Sequence, residues 1–275
     1  MIKIGLTSFN EHGSLLNKNK LTLGEYASVF PVVEMNTSFY GIKPKSVSKK
    51  WVQETPSEFK FIVKAFKAMT KHANWEDYYQ SEEDMDQAFF EFISPLVDTN
   101  RLEAILCQFS SYFTCTKENV DYLRRLRQRF LGLPLAIELR SDSWYQADFQ
   151  DKMLQFMRDH HLSLVIVDEP QVPIHSVPFL KEVTSESLVY VRLHGRQKAH
   201  WTTEDLDWRK KRNLYCYNSA ELSQLAQEVS DLPGKNKVVI FNNNSAGDAA
   251  PNALLFKEML NIDYIGLNPS QTTLF

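Results

Sequence analysis

The chain lacks a glycine-rich turn after its opening apolar run. Thr7, Ser8 and Phe9 stand where an open, doubly wound nucleotide-binding sheet would carry its phosphate-cradling glycines, which counts against that architecture. Cysteine is scarce: Cys107, Cys115 and Cys216 are odd in number and have no ligand spacing, which suits a reducing cytosol better than a disulfide framework and implies no zinc site. No linker rich in Pro, Gly or Ser, no repeat and no low-complexity tract interrupts the 275 residues, so one domain over 1–275 is expected. No apolar run is long enough to span a bilayer, and no charged leader or hydrophobic signal core precedes the first strand. The expectation is a soluble, cytoplasmic protein with no membrane partner. The formal net charge of -3 gives no bulk attraction to nucleic acid or anionic membrane, so any anion binding must come from a local patch.

What the chain does have is a regular alternation of short apolar runs with helical patterns. Eight candidate strands are Ile2 to Ser8, Val32 to Asn36, Phe59 to Ala65, Glu103 to Phe109, Pro134 to Arg140, Ser163 to Asp168, Leu188 to His194 and Lys237 to Asn243. Helical periodicity covers Leu23 to Phe30, Lys45 to Glu54, Glu82 to Leu96, Lys117 to Phe130, Ala147 to His161, Ala220 to Val229 and Asn252 to Leu260; the link from Glu169 to Ser187 shows none. Strict alternation calls for parallel strands with helical crossovers, and eight repeats in about 250 residues is the usual size of a closed (β/α)8 barrel. The fold class predicted is α/β, a single-domain TIM barrel.

Strand side chains alternate between faces, so the phase of each strand follows from its apolar positions. In Leu135 to Arg140, the residues Leu135, Ile137 and Leu139 take one face while Glu138 and Arg140 share the other; in Leu188 to His194, Val189, Val191 and Leu193 oppose Tyr190, Arg192 and His194. If the greasy face meets the helices, the barrel interior receives Glu34, Asn36, Lys64, Gln108, Glu138, Arg140, Asp168, Arg192, His194 and Asn242. All lie in the last third of their strands, the end at which barrels of this kind build active sites. A buried ionic network that merely fills the barrel top is the structural alternative. A functional site is the stronger reading, because many strands deliver polar groups to one end at a desolvation cost.

Two loops add cations and rings. Lys64, Lys67, Lys71 and His72 sit on or after the third strand, and Arg192, His194, Arg196, Lys198 and His200 on or after the seventh. Phe39, Tyr40, Trp75, Trp144 and Trp201 are interleaved with them. Cations and flat rings around a concave site suit a phosphorylated sugar, a nucleotide or a short single-stranded nucleic acid. Taken singly, Lys67 and Lys198 read as solvated surface lysines.

The motifs Val33-Glu34-Met35-Asn36-Thr37-Ser38-Phe39-Tyr40, Trp51 with Pro56 and Phe59-Lys60-Phe61-Ile62-Val63-Lys64, Glu138-Leu139-Arg140 with Ser143-Trp144, Tyr190-Val191-Arg192-Leu193-His194-Gly195 and Phe241-Asn242-Asn243 occur in this order from end to end. In this the chain resembles the domain-of-unknown-function 72 (YecE-like) family. The resemblance implies a TIM barrel and brings no reaction with it. At the first turn the chain departs from the resemblance: Gly5-Leu6-Thr7-Ser8-Phe9-Asn10 stands where many relatives carry a turn of Gly-Thr-Ser-Gly-Trp or Gly-Cys-Ser-Gly-Trp type.

Two classes of function follow. The first is an enzyme, a hydrolase or isomerase of TIM-barrel type, acting on a phosphorylated or polyhydroxy small molecule or a nucleic-acid end. In it Glu138 or Glu34 serves as acid or base, His194 as proton shuttle and Lys64, Arg140 and Arg192 as an anion clamp, with Asp168 among the catalytic groups. Asn36, Tyr40, His72, Gln108, Trp144 and Asn242 complete the binding set. The alternative is a non-catalytic binding module for a nucleotide or short single-stranded nucleic acid. Glu34, Glu138, Asp168 and His194 come from four strands much as ligands do in metal-dependent sugar isomerases and endonuclease barrels, so a divalent metal is conceivable by analogy of fold. The three inward cations oppose it, since they already balance three carboxylates and a metal cage wants an anionic excess; no cofactor is expected. The sequence carries no signal for oligomeric state.

Overall fold

The alternation of apolar side chains separates two greasy layers, one inside a ring of strands and one between that ring and its helices. In the computed structural model, which describes residues 1–172, 176–198, 211, 213–244 and 248–269, Val32, Ile62, Ala104, Leu106, Ala136, Val165, Val167, Tyr190, Val238 and Ile240 form the inner cluster. Ile4, Leu6, Val33, Phe61, Val63, Ile105, Ile137, Ile166, Val191 and Val239 belong to the outer one, against the helices. The protein is a single-domain TIM barrel, as its residue pattern predicts.

The strands are β1 (Ile2–Thr7), β2 (Val32–Met35), β3 (Lys60–Lys64), β4 (Leu102–Gln108), β5 (Leu135–Glu138), β6 (Ser163–Leu164), β7 (Ile166–Asp168), β8 (Val189–Leu193) and β9 (Lys237–Phe241). Every ladder is parallel, and the order is β6-β5-β4-β3-β2-β1-β9-β8-β7. The first and last strands are therefore bonded side by side. The single sixth strand expected from the sequence is divided at Val165: its first half pairs with β5 and its second with β8. The reason is a competing hydrogen bond. The Thr184 hydroxyl accepts from Leu164 N at 2.8 Å and donates to Leu162 O at 2.7 Å, so a side chain of the following link satisfies the edge of β6. Val165 N still reaches Ile137 O at 2.9 Å, and the covalent chain carries the ring across the gap.

Helices α1 (Leu23–Tyr26), α2 (Thr37–Tyr40), α3 (Lys45–Glu54), α4 (Glu82–Asp98), α5 (Lys117–Arg129), α6 (Ala147–Asp159), α7 (Ser219–Asp231) and α8 (Ala249–Met259) surround the strands. Their starts are chemically marked. Ser81 accepts from Asp84 N, Thr116 from Asn119 N, and Asn218 forms a reciprocal capping box with Glu221. The link after β7 carries no helix among its described residues, as its lack of periodicity predicts. No described helix is long and apolar enough to cross a membrane.

At the amino end of the barrel, the β3–β4 ladder shifts register between Phe61 and Ile62, where the partner residue steps from Leu102 to Ala104. Glu103, passed over by that step, meets Lys3 Nζ at 2.8 and 2.9 Å and Asn236 Nδ2 at 2.7 Å. A charged floor, an apolar middle and a charged top thus follow one another along the axis.

Candidate functional site

At the carboxyl end the inward phase delivers a connected set of charges. Arg192 on β8 is its centre. Its Nε donates to Glu34 Oε2 at 2.9 Å, its Nη2 to Glu34 Oε1 at 2.7 Å, and its Nη1 to Glu138 Oε2. Tyr190, two residues earlier on the same face, donates to Glu34 Oε2. Glu34 and Glu138 are fully buried and Arg192 is 1% exposed, so the two carboxylates have exchanged water for one shared guanidinium. Burial opposes a charged Arg192, but the paired carboxylates outweigh it and raise its pKa above the ordinary value.

Glu138 joins this core to the rim. Its Oε1 accepts from Gln108 Nε2 at 2.6 Å, Arg140 Nη1 at 3.1 Å and His194 Nε2 at 3.2 Å. Burial alone would raise its pKa; Arg192 first, then His194 and Arg140, reverse that and hold the carboxyl well below the ordinary range. Burial lowers His194 to about 3, so its imidazole is neutral at pH 7. The hydrogen bonds agree: Asn242 Nδ2 meets His194 Nδ1 at 2.7 Å, which leaves the ring proton on Nε2, facing Glu138. Gly195 follows at φ +88°, and a β-carbon there would stand 2.4 Å from Tyr215 Cβ, so only glycine lets the chain turn away directly after His194.

Lys64 stands at the rim on the end of β3. Its Nζ donates to Gln108 Oε1 at 2.7 Å and sits 4.5 Å from the centre of the Phe39 ring. Among the described residues it has no carboxylate within ion-pair distance, whereas Arg140 is paired with Glu138 and Glu169 and Arg192 with Glu34 and Glu138. Burial, and then the nearby Arg192, bring its ammonium down to about 8. Short helix α2 supplies the ring: Ser38 Oγ donates to Lys64 O at 2.6 Å, which seats Phe39 under the lysine. Tyr40 and His72 pack edge-on against Phe39, at 5.3 and 5.2 Å between ring centres, and Tyr40 is 75% exposed. Asn36, at the end of β2, keeps a buried Oδ1 with no hydrogen-bond partner among the described residues.

Three expectations need correction. Asp168 does not face the interior. It lies on the outward phase with Ile166, bound by Arg196 at 2.7 and 3.0 Å and by the Tyr217 hydroxyl at 2.6 Å, where it fastens the segment after β8 to that before α7. The inward position belongs to Glu169, which pairs with Arg140 Nη2 at 2.8 Å and accepts from Val177 N at 2.8 Å. Leu164 to Val167 is apolar on both faces, so the sequence fixes no phase there; the polar Ser163, in step with Glu169, was the only hint. Secondly, Trp144 is not at the rim. It is 1% exposed, stacks on Phe113 at 5.7 Å and donates its indole N–H to Phe113 O at 2.6 Å, because a large ring beside the helices gains more from the outer core than from water. Thirdly, Arg192 is not an open anion receptor, since each of its three nitrogens already meets a carboxylate.

The other loop cations are engaged locally. Lys67 lies over Tyr78 at 4.4 Å, Lys71 meets Glu118 at 3.2 Å and Arg196 holds Asp168. Lys198 is exposed, and His200 and Trp201 lie outside the described residues. Tyr190 was the other contributor not singled out in advance as a site residue; its place beside Arg192 on one face was the available signal. Among the described residues no group of three or more His, Cys, Asp or Glu side chains is arranged to hold a metal ion, and Arg192 lies between the two innermost carboxylates.

Comparison with known proteins places these residues in a wider set. The family model described as "Protein of unknown function DUF72" matches residues 3–273. The chain is 41% identical to the UPF0759 protein YunF of Bacillus subtilis (strain 168), with all of both chains covered. A crystal structure of a DUF72 family protein from Enterococcus faecalis V583 superposes with a TM-score of 0.96 at 50% identity, over 99% of this chain and 100% of that one. Another, from Thermotoga maritima MSB8, does so with a TM-score of 0.80 at 31% identity, over 95% of this chain and 100% of that one. With the motifs, the barrel and the match over nearly its whole length in agreement, the chain belongs to the DUF72 family.

Proposed function

We propose that this protein is an enzyme for a small phosphorylated or polyhydroxy molecule, bound at the carboxyl end of the barrel and transformed by proton transfer. The observation that carries this reading is Lys64, a cation at the rim with no carboxylate partner among the described residues, next to arginines that are both paired. An ammonium held there with its charge uncompensated favours an anionic or oxygen-rich ligand. Gln108 bonds it directly, Arg140, Asn242 and the unsatisfied Asn36 oxygen add donors and acceptors at the same end of the barrel, and Phe39, Tyr40 and His72 supply an aromatic wall.

Glu138 and His194 then divide the chemistry. One is an ionised acceptor and the other a neutral imidazole, and the hydrogen bond between them is a route for a proton. Glu34 and Arg192 hold that pair in place from beneath. An isomerisation or a hydrolysis needs no more than these groups, so the proposal invokes no cofactor.

The test is a titration at low salt with inorganic phosphate and sugar phosphates, run beside mass spectrometry of small molecules that copurify with the protein. Saturable binding that is lost in Lys64→Met supports the reading; a flat response to every anion sinks it. Saturation by a short single-stranded oligonucleotide, with none by small phosphates, would replace the enzyme with a binding module built on Tyr40 and the rim.

A further inference from the structure

We propose that Lys64 is an amine nucleophile, forming a Schiff base with the carbonyl carbon of a small hydroxy-aldehyde or hydroxy-ketone at the barrel mouth. The proposal deepens the reading above and depends on it for the place where substrate binds.

The geometry separates Lys64 from a structural counter-charge. Three inward carboxylates, Glu34, Glu138 and Glu169, are near enough to the charged cluster to have paired with it, yet all three are bonded to Arg192 or Arg140. Lys64 instead meets the neutral Gln108 amide, whose Oε1 accepts one amine hydrogen while its Nε2 is committed to Glu138. One hydrogen is thus fixed, and a deprotonated Nζ keeps its lone pair for an electrophile above the Phe39 ring. The unsatisfied Asn36 oxygen, between the neighbouring strand β2 and helix α2, suits a substrate hydroxyl.

The surroundings also free the amine. Burial and the positive charges of Arg192 and Arg140, only partly offset by Glu34 and Glu138, set the ammonium near 8. Relative to an ordinary lysine, the free amine at pH 7 is enriched about 300-fold, part of which is returned as lower intrinsic nucleophilicity. In the step itself, the Nζ lone pair forms the N–C bond as the carbonyl π bond opens. The two amine hydrogens leave with the carbonyl oxygen as one water molecule, and C=N remains. No oxidant or reductant is consumed. Protonation of that imine acidifies the neighbouring C–H, the bond that an acid–base pair such as Glu138 and His194 would act on.

The experiment uses glycolaldehyde, a two-carbon hydroxy-aldehyde, with sodium cyanoborohydride to reduce any imine on the intact protein. Peptide mass spectrometry then reads the rate at each lysine. The expected result is labelling of Lys64 at least tenfold faster than of Lys67 and Lys71, rising with pH to a plateau above about 8. Lys64→Arg should remove the fast phase, because a guanidinium forms no such imine. Labelling of Lys64 no faster than of Lys67 and Lys71 overturns the proposal. If phosphate binding still depends on Lys64 in that case, the residue is an anion clamp and only the nucleophile is lost; if it does not, the location of the substrate falls as well.

Discussion

Arg192 and Lys64 present the same formal charge to the same cluster and should respond in opposite ways to removal. Arg192→Met leaves Glu34 buried without a counter-charge and Glu138 with Arg140 as its remaining guanidinium, and breaking a buried pair of this kind costs about 3–5 kcal/mol. Lys64→Met removes an ammonium that the fold holds below its ordinary pKa, at the cost of its one hydrogen bond to Gln108. Its expected effect at pH 7 is a gain of about 1–2 kcal/mol. Urea unfolding of the two variants checks both signs, and a Lys64→Met protein as damaged as Arg192→Met would mark the lysine as structural. Ser8 makes a smaller point of the same kind. It holds φ at +66°, in the left-handed region that glycine enters without strain, at the turn after β1. Ser8→Gly is expected to stabilise the fold by about 0.5–1 kcal/mol, read as a higher melting temperature.

At the scale of the element, the split sixth strand shows both what the sequence determines and where it falls silent. Strands with a polar inward face, such as Glu138 with Arg140 or Arg192 with His194, announce their phase, and their residues met where period two put them. Ser163 to Glu169 has no such contrast across its apolar centre, and a displacement of one residue exchanged Asp168 for Glu169. Trp144 was misplaced for a related reason: a tryptophan after a strand looks alike from the sequence whether it turns to the rim or back under the helices. The correction is testable. Glu169→Ala removes one of the two carboxylates on Arg140 and the acceptor of the Val177 amide, so a loss of about 3 kcal/mol is expected, together with faster hydrogen exchange at Val177. Asp168→Ala should leave that amide protected.

For the whole molecule, the buried cluster sets the response to acid. His194 is lowered from 6.5 to about 3, so between those values the unfolded chain binds a proton that the folded chain refuses. Stability from this group is complete above about 6.5 and drains away as pH falls toward 3. Glu138, held well below its ordinary pKa, adds a loss of the same sign that begins as pH falls below about 4.5, and the buried His12, also lowered, reinforces the earlier phase. Unfolding free energies measured from pH 8 down to pH 3 should decline from about 6.5 onward. A flat profile through that range would place His194 in contact with water.

The ring of strands has its clasp in the middle of the sequence. The two ends of the chain are laced together through β1 and β9, while the interruption falls between Leu164 and Ile166, spanned by Val165. Relocating the termini to that point would leave every ladder between strands in place and make the spatial order of the nine strands the order in which they occur along the chain. The sheet is, in that sense, a linear ribbon written from its middle, and the covalent bond at Val165 does for the ring what hydrogen bonds do everywhere else around it.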